Sequence, residues 1–200
     1  MVHTVLGILV GVMFIVGYIP QVKELFLGFK KRDGLSGVST IFWFCIFFSL
    51  AVTFYNLKGT DSHLTVIVPQ GINFGFAFCI FAVVLLFKND LSRALTLLVV
   101  AVSIVLYINM AIPTDWSQNL ATGLISFAYF TQIIKLYQTK STKGLSLLLF
   151  VFIALSLLLM FINIVLTNSY LLAGWTELTN MIMILIVIIM VIYYRRKENS

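Results

Sequence analysis

Charged side chains are scarce in this chain. Asp, Glu, Lys and Arg make up 10% of its 200 residues, whereas hydrophobic residues make up 61%. So few charges cannot cover the surface of a water-soluble fold of this size, which excludes an ordinary soluble domain. A lipid bilayer is therefore the expected surroundings of the chain and its first expected partner.

Groups that perform catalysis or bind metals are equally few. The chain contains 2 His and 2 Cys, and Glu177 is the one carboxylate well inside a long apolar run. No nucleophile is placed beside a base, no two carboxylates form an acid and base pair, and no His, Cys or Asp spacing suits a metal ion. We therefore predict that the protein is not an enzyme and binds no cofactor or metal.

Long apolar runs, in contrast, fill most of the sequence. About twenty apolar residues cross the ~30 Å hydrocarbon core of a bilayer as a helix. The runs predict an all-α membrane protein with seven transmembrane helices and short polar connections. They lie at about residues 2–22, 38–57, 65–87, 94–112, 119–138, 145–167 and 171–194.

Lys and Arg are concentrated at one end of the predicted helices. Twelve of the thirteen lie near connections 1–2, 3–4 and 5–6 or after helix 7, and Lys58 alone lies at the opposite end. By the positive-inside rule the basic end is cytoplasmic, here called the inner end, and the N-terminus is outside. Asp61 and Ser117 are then expected at the outer end, where a cysteine at either position should react with an impermeant reagent from outside. We expect a multi-pass protein of the cell membrane, with no nucleic-acid partner because no basic patch is interleaved with aromatics.

Two parts of the sequence repeat the same order of residue types. Residues Tyr18–Gln21 match Tyr129–Gln132 at a distance of 111 positions, and Gly34–Ser36 match Gly144–Ser146 at 110. Helices 1–3 and 5–7 are therefore predicted to be two copies of one unit. A three-helix unit starts and ends on opposite sides of the membrane, so a crossing helix 4 is needed to make the copies parallel.

This pattern predicts the domain organisation. Two parallel three-helix repeats are joined by a linker helix, with residues 1–90 as the first repeat, 91–115 as the linker, and 116–200 as the second repeat with a short cytoplasmic tail. The sequence leaves the formation of a homo-oligomer open.

A pair of polar side chains recurs within the predicted third and seventh helices. Gln70 and Asn73 match Glu177 and Asn180 at a distance of 107 positions. With a helical rise of 1.5 Å per residue, the two asparagines lie about 12–13 Å below the outer helix starts, close to the middle of the bilayer. Residues three apart share a helix face. We predict that these four side chains bind a small polar solute; the alternative is that the asparagines only hold helices together.

The duplicated motif resembles the PQ-loop proteins and their SWEET sugar-transporter relatives. The resemblance is carried by Pro20-Gln21 with its basic loop, by the second copy from Thr131-Gln132 to Ser146, and by the 3+1+3 plan over the whole chain. It implies alternating-access transport of a small polar solute, a sugar first, with Asn73 and Asn180 as substrate-binding residues. An amino-acid carrier of the cystine or cationic amino-acid type shares the motif. A seven-helix cargo receptor shares the plan, but it needs outer cations and only Lys58 is available.

The inner ends of helices 1 and 5 are predicted to act as hinge and gate. Proline removes a helical hydrogen bond and kinks a helix, whereas threonine bends it less firmly. The hinge is therefore expected to be firmer in the first copy. Tyrosine near a helix end is either a gate residue or an interface anchor. The predicted hinge and gate residues are Pro20, Gln21, Thr131, Gln132, Tyr18 and Tyr129.

Glu177 is the predicted proton-coupling residue. An ionisable group inside the membrane is costly and marks a functional site by default. Its match in the first copy is Gln70, a neutral side chain of the same shape. Without coupling the protein is a uniporter, and with a later start of helix 7 Glu177 lies in a water-filled outer vestibule.

Overall fold

The described residues form a bundle of helices. The computed structural model describes residues 2–29, 36–89 and 91–199, and within these it contains seven helices and no strand. This confirms the seven-helix, all-α membrane fold. The helices are α1 Val2–Phe29, α2 Thr40–Gly59, α3 Leu64–Lys88, α4 Leu91–Ala111, α5 Thr114–Thr139, α6 Leu147–Leu166 and α7 Leu171–Asn199.

Two helix ends differ from the prediction. Helix α1 does not end at Pro20-Gln21 but continues to Phe29, with Pro20 inside it. The apolar run stops at Lys23 because charged side chains leave the hydrocarbon there, yet Lys, Glu and Leu are strong helix formers and extend the helix. Helix α5 begins at Thr114, five residues before the predicted start, directly after Pro113.

The helices pack as two similar sets. In the first set α3 contacts both α1 and α2, and in the second set α7 contacts both α5 and α6. Between the sets, α1 packs against α6 and α2 packs against α5. Helix α4 lies at the edge, mainly against α2 and α3. The first set (α1–α3) and the second set (α5–α7) therefore face each other across a central seam.

One helix is markedly less apolar than the others. Six helices of the described chain are long and apolar enough to cross a membrane unaided, and α5 is not among them. Its polar side chains face inward, since Ser117, Gln118, Tyr129 and Gln132 are all buried. Helix α5 therefore shows lipid its apolar side and the partner helices its polar side.

Serine side chains cap α2 and α6 at matched positions. Ser39 Oγ accepts a hydrogen bond from the Phe42 amide, and Ser146 Oγ accepts one from the Leu149 amide. These caps are 107 positions apart, the spacing of the asparagines. The predicted match of Ser36 with Ser146 is therefore wrong by three residues, and the neighbouring Gly34 and Leu35 lie outside the described residues.

Candidate functional site

Two tyrosine–asparagine pairs lie at the centre of the bundle. Tyr18 Oη of α1 donates a hydrogen bond to Asn73 Oδ1 of α3 at 2.7 Å. At the matched place in the second set, Tyr129 Oη of α5 donates to Asn180 Oδ1 of α7 at 2.5 Å. All four side chains are at most 3% exposed. The predicted substrate asparagines and the predicted gate tyrosines are thus direct partners, and neither phenol lies where an interface anchor would.

The two pairs line a small cavity. Its volume is about 20 Å³, which is room for about one water molecule. Trp43 forms part of the wall, and its Nε1 is a buried donor without a partner among the described residues. The remaining wall is aromatic and aliphatic, from Phe42, Ile46 and Leu50 of α2 and from Leu149, Phe150 and Ile153 of α6.

Gln70 and Glu177 lie one helical turn further out on α3 and α7. Both are fully buried, and Glu177 lies beside Gln70 and Asn180. Neither carboxylate oxygen of Glu177 and neither amide atom of Gln70 makes a hydrogen bond of normal geometry within the described chain. Helix α7 begins at Leu171, so the alternative of a later start is wrong. The matched polar positions therefore meet across the seam.

Gln21 and Gln132 each bind the start of a helix in the opposite set. Gln21 Nε2 donates to the Gly144 carbonyl at 2.7 Å, and its Oε1 accepts from the Ser146 amide at 2.9 Å. Gln132 Nε2 donates to the Gly37 carbonyl at 2.8 Å, and its Oε1 accepts from the Ser39 amide at 3.2 Å. Both glutamines are fully buried. We call these two contacts the inner clamps. Gln21 therefore bonds to the opposite set and not to the end of its own helix.

The inner loops also touch each other. The Gly37 amide donates to the Lys143 carbonyl at 3.2 Å, and a Cβ on Gly37 would lie 2.6 Å from the Ser141 carbonyl oxygen. Only glycine permits this approach. Cations from α3 and α7 bind the same loops, since Lys88 donates to the Val38 carbonyl at 2.6 Å and Arg195 to the Leu145 carbonyl at 3.0 Å. The inner end is closed.

A comparison with family models identifies one segment of the chain. Residues 115–172, which contain most of α5, the inner loop and α6, match the model of the PQ loop repeat. This segment is similar to the PQ loop repeat. The match confirms the resemblance to PQ-loop proteins in this segment, and PQ-loop proteins are in general membrane transporters. No curated protein sequence and no solved structure matches the chain significantly.

The segment that matches the PQ loop repeat has no proline before its glutamine Gln132. At that position Thr131 Oγ1 donates to the Ala128 carbonyl at 2.7 Å, the local bond through which threonine bends a helix. Pro20 holds the corresponding place in α1, and the helix continues through it. The hinge roles of Pro20 and Thr131 stay predictions.

The outer loops close the opposite end with a matched pair of hydrogen bonds. The His63 amide donates to Ser169 Oγ at 3.0 Å, and the Tyr170 amide donates to Ser62 Oγ at 3.3 Å. Tyr170 Oη also donates to Asp115 Oδ1 at 2.6 Å. Partial burial and the contact with Asp115 raise the pKa of the Tyr170 phenol. The central cavity is therefore closed towards both sides of the membrane.

A buried polar cluster around the outer end of α5 was missed in the sequence. Gln118 is its centre, donating to Thr53 at 3.0 Å and Thr176 at 2.7 Å and accepting from Asn56 at 2.8 Å. Ser117 belongs to it and is 1% exposed, so the expectation of an accessible outer position there is wrong. The predicted α5 started at residue 119, so Ser117 and Gln118 were left out of its helical pattern. Gln118 and Thr122 are four residues apart and share a helix face, and this pair was the signal that could have indicated the cluster.

Among the described residues no group of three or more His, Cys, Asp or Glu could hold a metal ion. The site instead presents amides, phenols, one indole and one carboxyl group at the middle of a bundle that is closed at both ends. Such groups form hydrogen bonds with a small polar solute.

Proposed function

We propose that this protein is a membrane transporter that moves a small polar solute by alternating access through the seam between the two sets. The observation that carries the proposal is the central cavity with Asn73 and Asn180, which lies between two separate closures. A sugar is the first candidate, because paired amides form hydrogen bonds with hydroxyl groups. The transporter class of PQ-loop proteins supports the same function.

The two sets act in this proposal as parallel repeats, with boundaries at 1–90, 91–115 and 116–200. Support comes from contacts that recur at matched positions, namely the tyrosine–asparagine pairs, the inner clamps and the outer loop bonds. A movement of one set against the other can then open either end while the cavity stays in place. Rigid units around a central site are a common design among transporters.

An amino acid is the second candidate solute. It is favoured by Glu177, a buried carboxyl group beside the cavity asparagine Asn180, which could receive an amino group. A cargo receptor has less support, since Lys58 is the one cation at the outer end of the described chain.

Orientation follows from charge. Of the ten described Lys and Arg residues, nine lie at the inner end. We place this end in the cytoplasm and the outer end outside the cell membrane. A cysteine at the exposed Asp61 should react with an impermeant reagent from outside; reaction from inside alone would reverse the orientation.

Uptake into liposomes tests the function. The purified chain should accumulate at least one of radiolabelled D-glucose, sucrose, L-cystine and L-lysine above empty liposomes. Asn73→Ala and Asn180→Ala should each lower that uptake at least about fivefold. Each change leaves a buried polar group of the solute without its hydrogen-bond partner, which costs about 1–3 kcal/mol. The matched control is Asn109→Ala in α4, which bonds only within its own helix.

Three results contradict the proposal. The first is no uptake of any member of the panel by a folded protein. The second is equal uptake by the three asparagine variants. The third is loss of folding in detergent for Asn73→Ala and Asn180→Ala alone, which assigns these residues to helix association.

A further inference from the structure

The direction of two hydrogen bonds decides what the central cavity offers to a solute. Both asparagines accept through Oδ1 from a tyrosine, Asn73 from Tyr18 and Asn180 from Tyr129. A side-chain amide has one carbonyl acceptor and one NH₂ group with two donors. With the carbonyl engaged, each asparagine keeps its Nδ2 group for a ligand. The Asn180 amide lies beside the Glu177 carboxyl group, although neither oxygen of Glu177 has a hydrogen bond of normal geometry within the described chain.

The tyrosine rings are themselves fixed. The Tyr18 ring stacks on Phe76 with centroids 5.0 Å apart, and the Tyr129 ring meets Phe42 edge to face at 5.3 Å. Aromatic pairs at this separation are favourable and directional. Each phenol is therefore held where it donates to the carbonyl of its asparagine, and a turned-over amide would require the phenol hydrogen to point away and its oxygen to accept instead.

The tyrosine–asparagine bonds and the inner clamps join different pairs of elements. Tyr18 and Asn73 both belong to the first set, and Tyr129 and Asn180 both belong to the second. The clamps of Gln21 and Gln132 join opposite sets. Movement of one set against the other breaks the clamps but leaves the tyrosine–asparagine bonds intact.

We propose that Tyr18 and Tyr129 are positioning residues that hold Asn73 and Asn180 as hydrogen-bond donors throughout the transport cycle. This role replaces the gate predicted for the tyrosines, and it rests on the proposed transport function. The tyrosines act through the asparagines, by fixing which atoms of each amide face the solute.

The orientation of the two asparagines predicts which solutes the cavity binds. The nitrogen groups of the cavity wall are the two Nδ2 groups and Trp43 Nε1, all donors, and the acceptors beside them are the oxygens of the two phenols. The site therefore selects solutes with at least two oxygen acceptors that converge on the asparagines, such as the hydroxyl oxygens of a sugar or a carboxylate. Solutes that offer only N–H donors are expected to bind more weakly, because the nitrogen donors of the wall then stay unpaired.

Kinetics of single hydroxyl deletions test this role. Tyr18→Phe and Tyr129→Phe remove one oxygen each and keep the ring, and the control is Tyr107→Phe, whose side chain is 70% exposed on α4. We expect each central variant to raise the KM for the transported member of the panel about threefold to tenfold, the equivalent of one hydrogen bond, with kcat changed less. Thermal unfolding in detergent should show all three variants folded.

A competition assay on the unaltered protein gives a second test that needs no variant. If D-glucose is carried, monodeoxyfluoro derivatives accept but cannot donate a hydrogen bond, whereas monodeoxy derivatives do neither. At one or more positions the fluoro derivative should compete about threefold to tenfold better than the deoxy derivative. If L-lysine is carried, the free acid should compete better than its primary amide by a similar factor.

The outcomes separate this role from the proposed function. Uptake with unchanged KM in both tyrosine variants overturns the positioning role, as does a fall of kcat alone, which indicates a gate. Equal competition by the two derivatives at every position also overturns it, even where a variant unfolds. Absence of uptake by the unaltered protein overturns the transport function and this role with it.

Discussion

Glu177 is the residue whose surroundings least suit its ordinary charge. It is fully buried, lies beside Gln70 and Asn180, and makes no hydrogen bond of normal geometry within the described chain. An unpaired buried carboxylate costs several kcal/mol or more, whereas the neutral acid costs much less. In this closed conformation the side chain is therefore expected to hold a proton, which it can release when one end opens to water.

The change Glu177→Gln tests proton coupling. Uptake by the unaltered protein should rise as the outer pH falls, because outer protons load Glu177 before the bundle closes. The amide variant keeps the shape but cannot release a proton, so its uptake should be independent of pH. The measurement is the initial uptake rate at outer pH values from 5 to 8, with Glu24→Gln near the inner end as control. If uptake by the variant depends on pH as uptake by the unaltered protein does, Glu177 does not couple protons to transport. The protein is then a uniporter in our account.

Individual site residues were predictable where similar polar residues recur at a fixed spacing in the sequence. The spacing of 107 positions brought out Asn73, Asn180, Gln70 and Glu177, because depth in a membrane follows directly from helical rise. The partner of each asparagine was not predictable. Tyr18 and Asn73 are 55 positions apart, and helical periodicity carries no information on contacts between helices.

At the scale of elements, the inner clamps link the two sets through helix starts. The first amides of a helix have no partner inside the helix and need capping. Ser39 and Ser146 cap α2 and α6 by their side chains, and their own amides are bound by Gln132 and Gln21. Each set therefore completes the helix start of the other. Opening the inner end requires breaking both clamps.

Removal of a clamp should favour the inward-open form. Gln132→Leu leaves the Ser39 amide and the Gly37 carbonyl without their partner, which should weaken the inner closure by about 1–3 kcal/mol for two hydrogen bonds. The exposed Gln138 on the same helix provides the control, Gln138→Leu. Labelling of a cysteine at Ser141 from the inner side should be faster in Gln132→Leu than in the control. Equal rates would show that the clamps do not hold this end closed.

Helix existence was predictable, whereas helix ends and loop register were not. An apolar run measures the part of a helix inside the bilayer, so it missed the last turns of α1, which continue to Phe29. The match of Gly34–Ser36 with Gly144–Ser146 was based on their identical Gly-Leu-Ser sequence. The structure instead gives Gly37 and Ser39 the contacts of Gly144 and Ser146, because hydrogen-bonding position and not residue identity defines equivalence.

At the scale of the whole molecule, the structure shows a bundle closed at both ends around a cavity of about 20 Å³. A sugar or amino acid does not fit in the room of one water molecule, so the walls must move apart to admit it. Composition and run length predicted the fold, since the bilayer restricts the chain to helices. The closed conformation was not predictable, because it depends on contacts between loops that the sequence does not order in space.

The central claim is that the two ends open in alternation. Ser36 Oγ and Ser141 Oγ are 3.1 Å apart across the inner end, so Ser36→Cys with Ser141→Cys, in a Cys45→Ala/Cys79→Ala background, allows a disulfide between the loops. The measurement is solute uptake into liposomes before oxidation, after oxidation and after reduction, with each single cysteine variant as control. We predict that oxidation stops uptake in the double variant alone and that reduction restores it. Uptake at an unchanged rate by the cross-linked protein would contradict transport by alternating access through this seam.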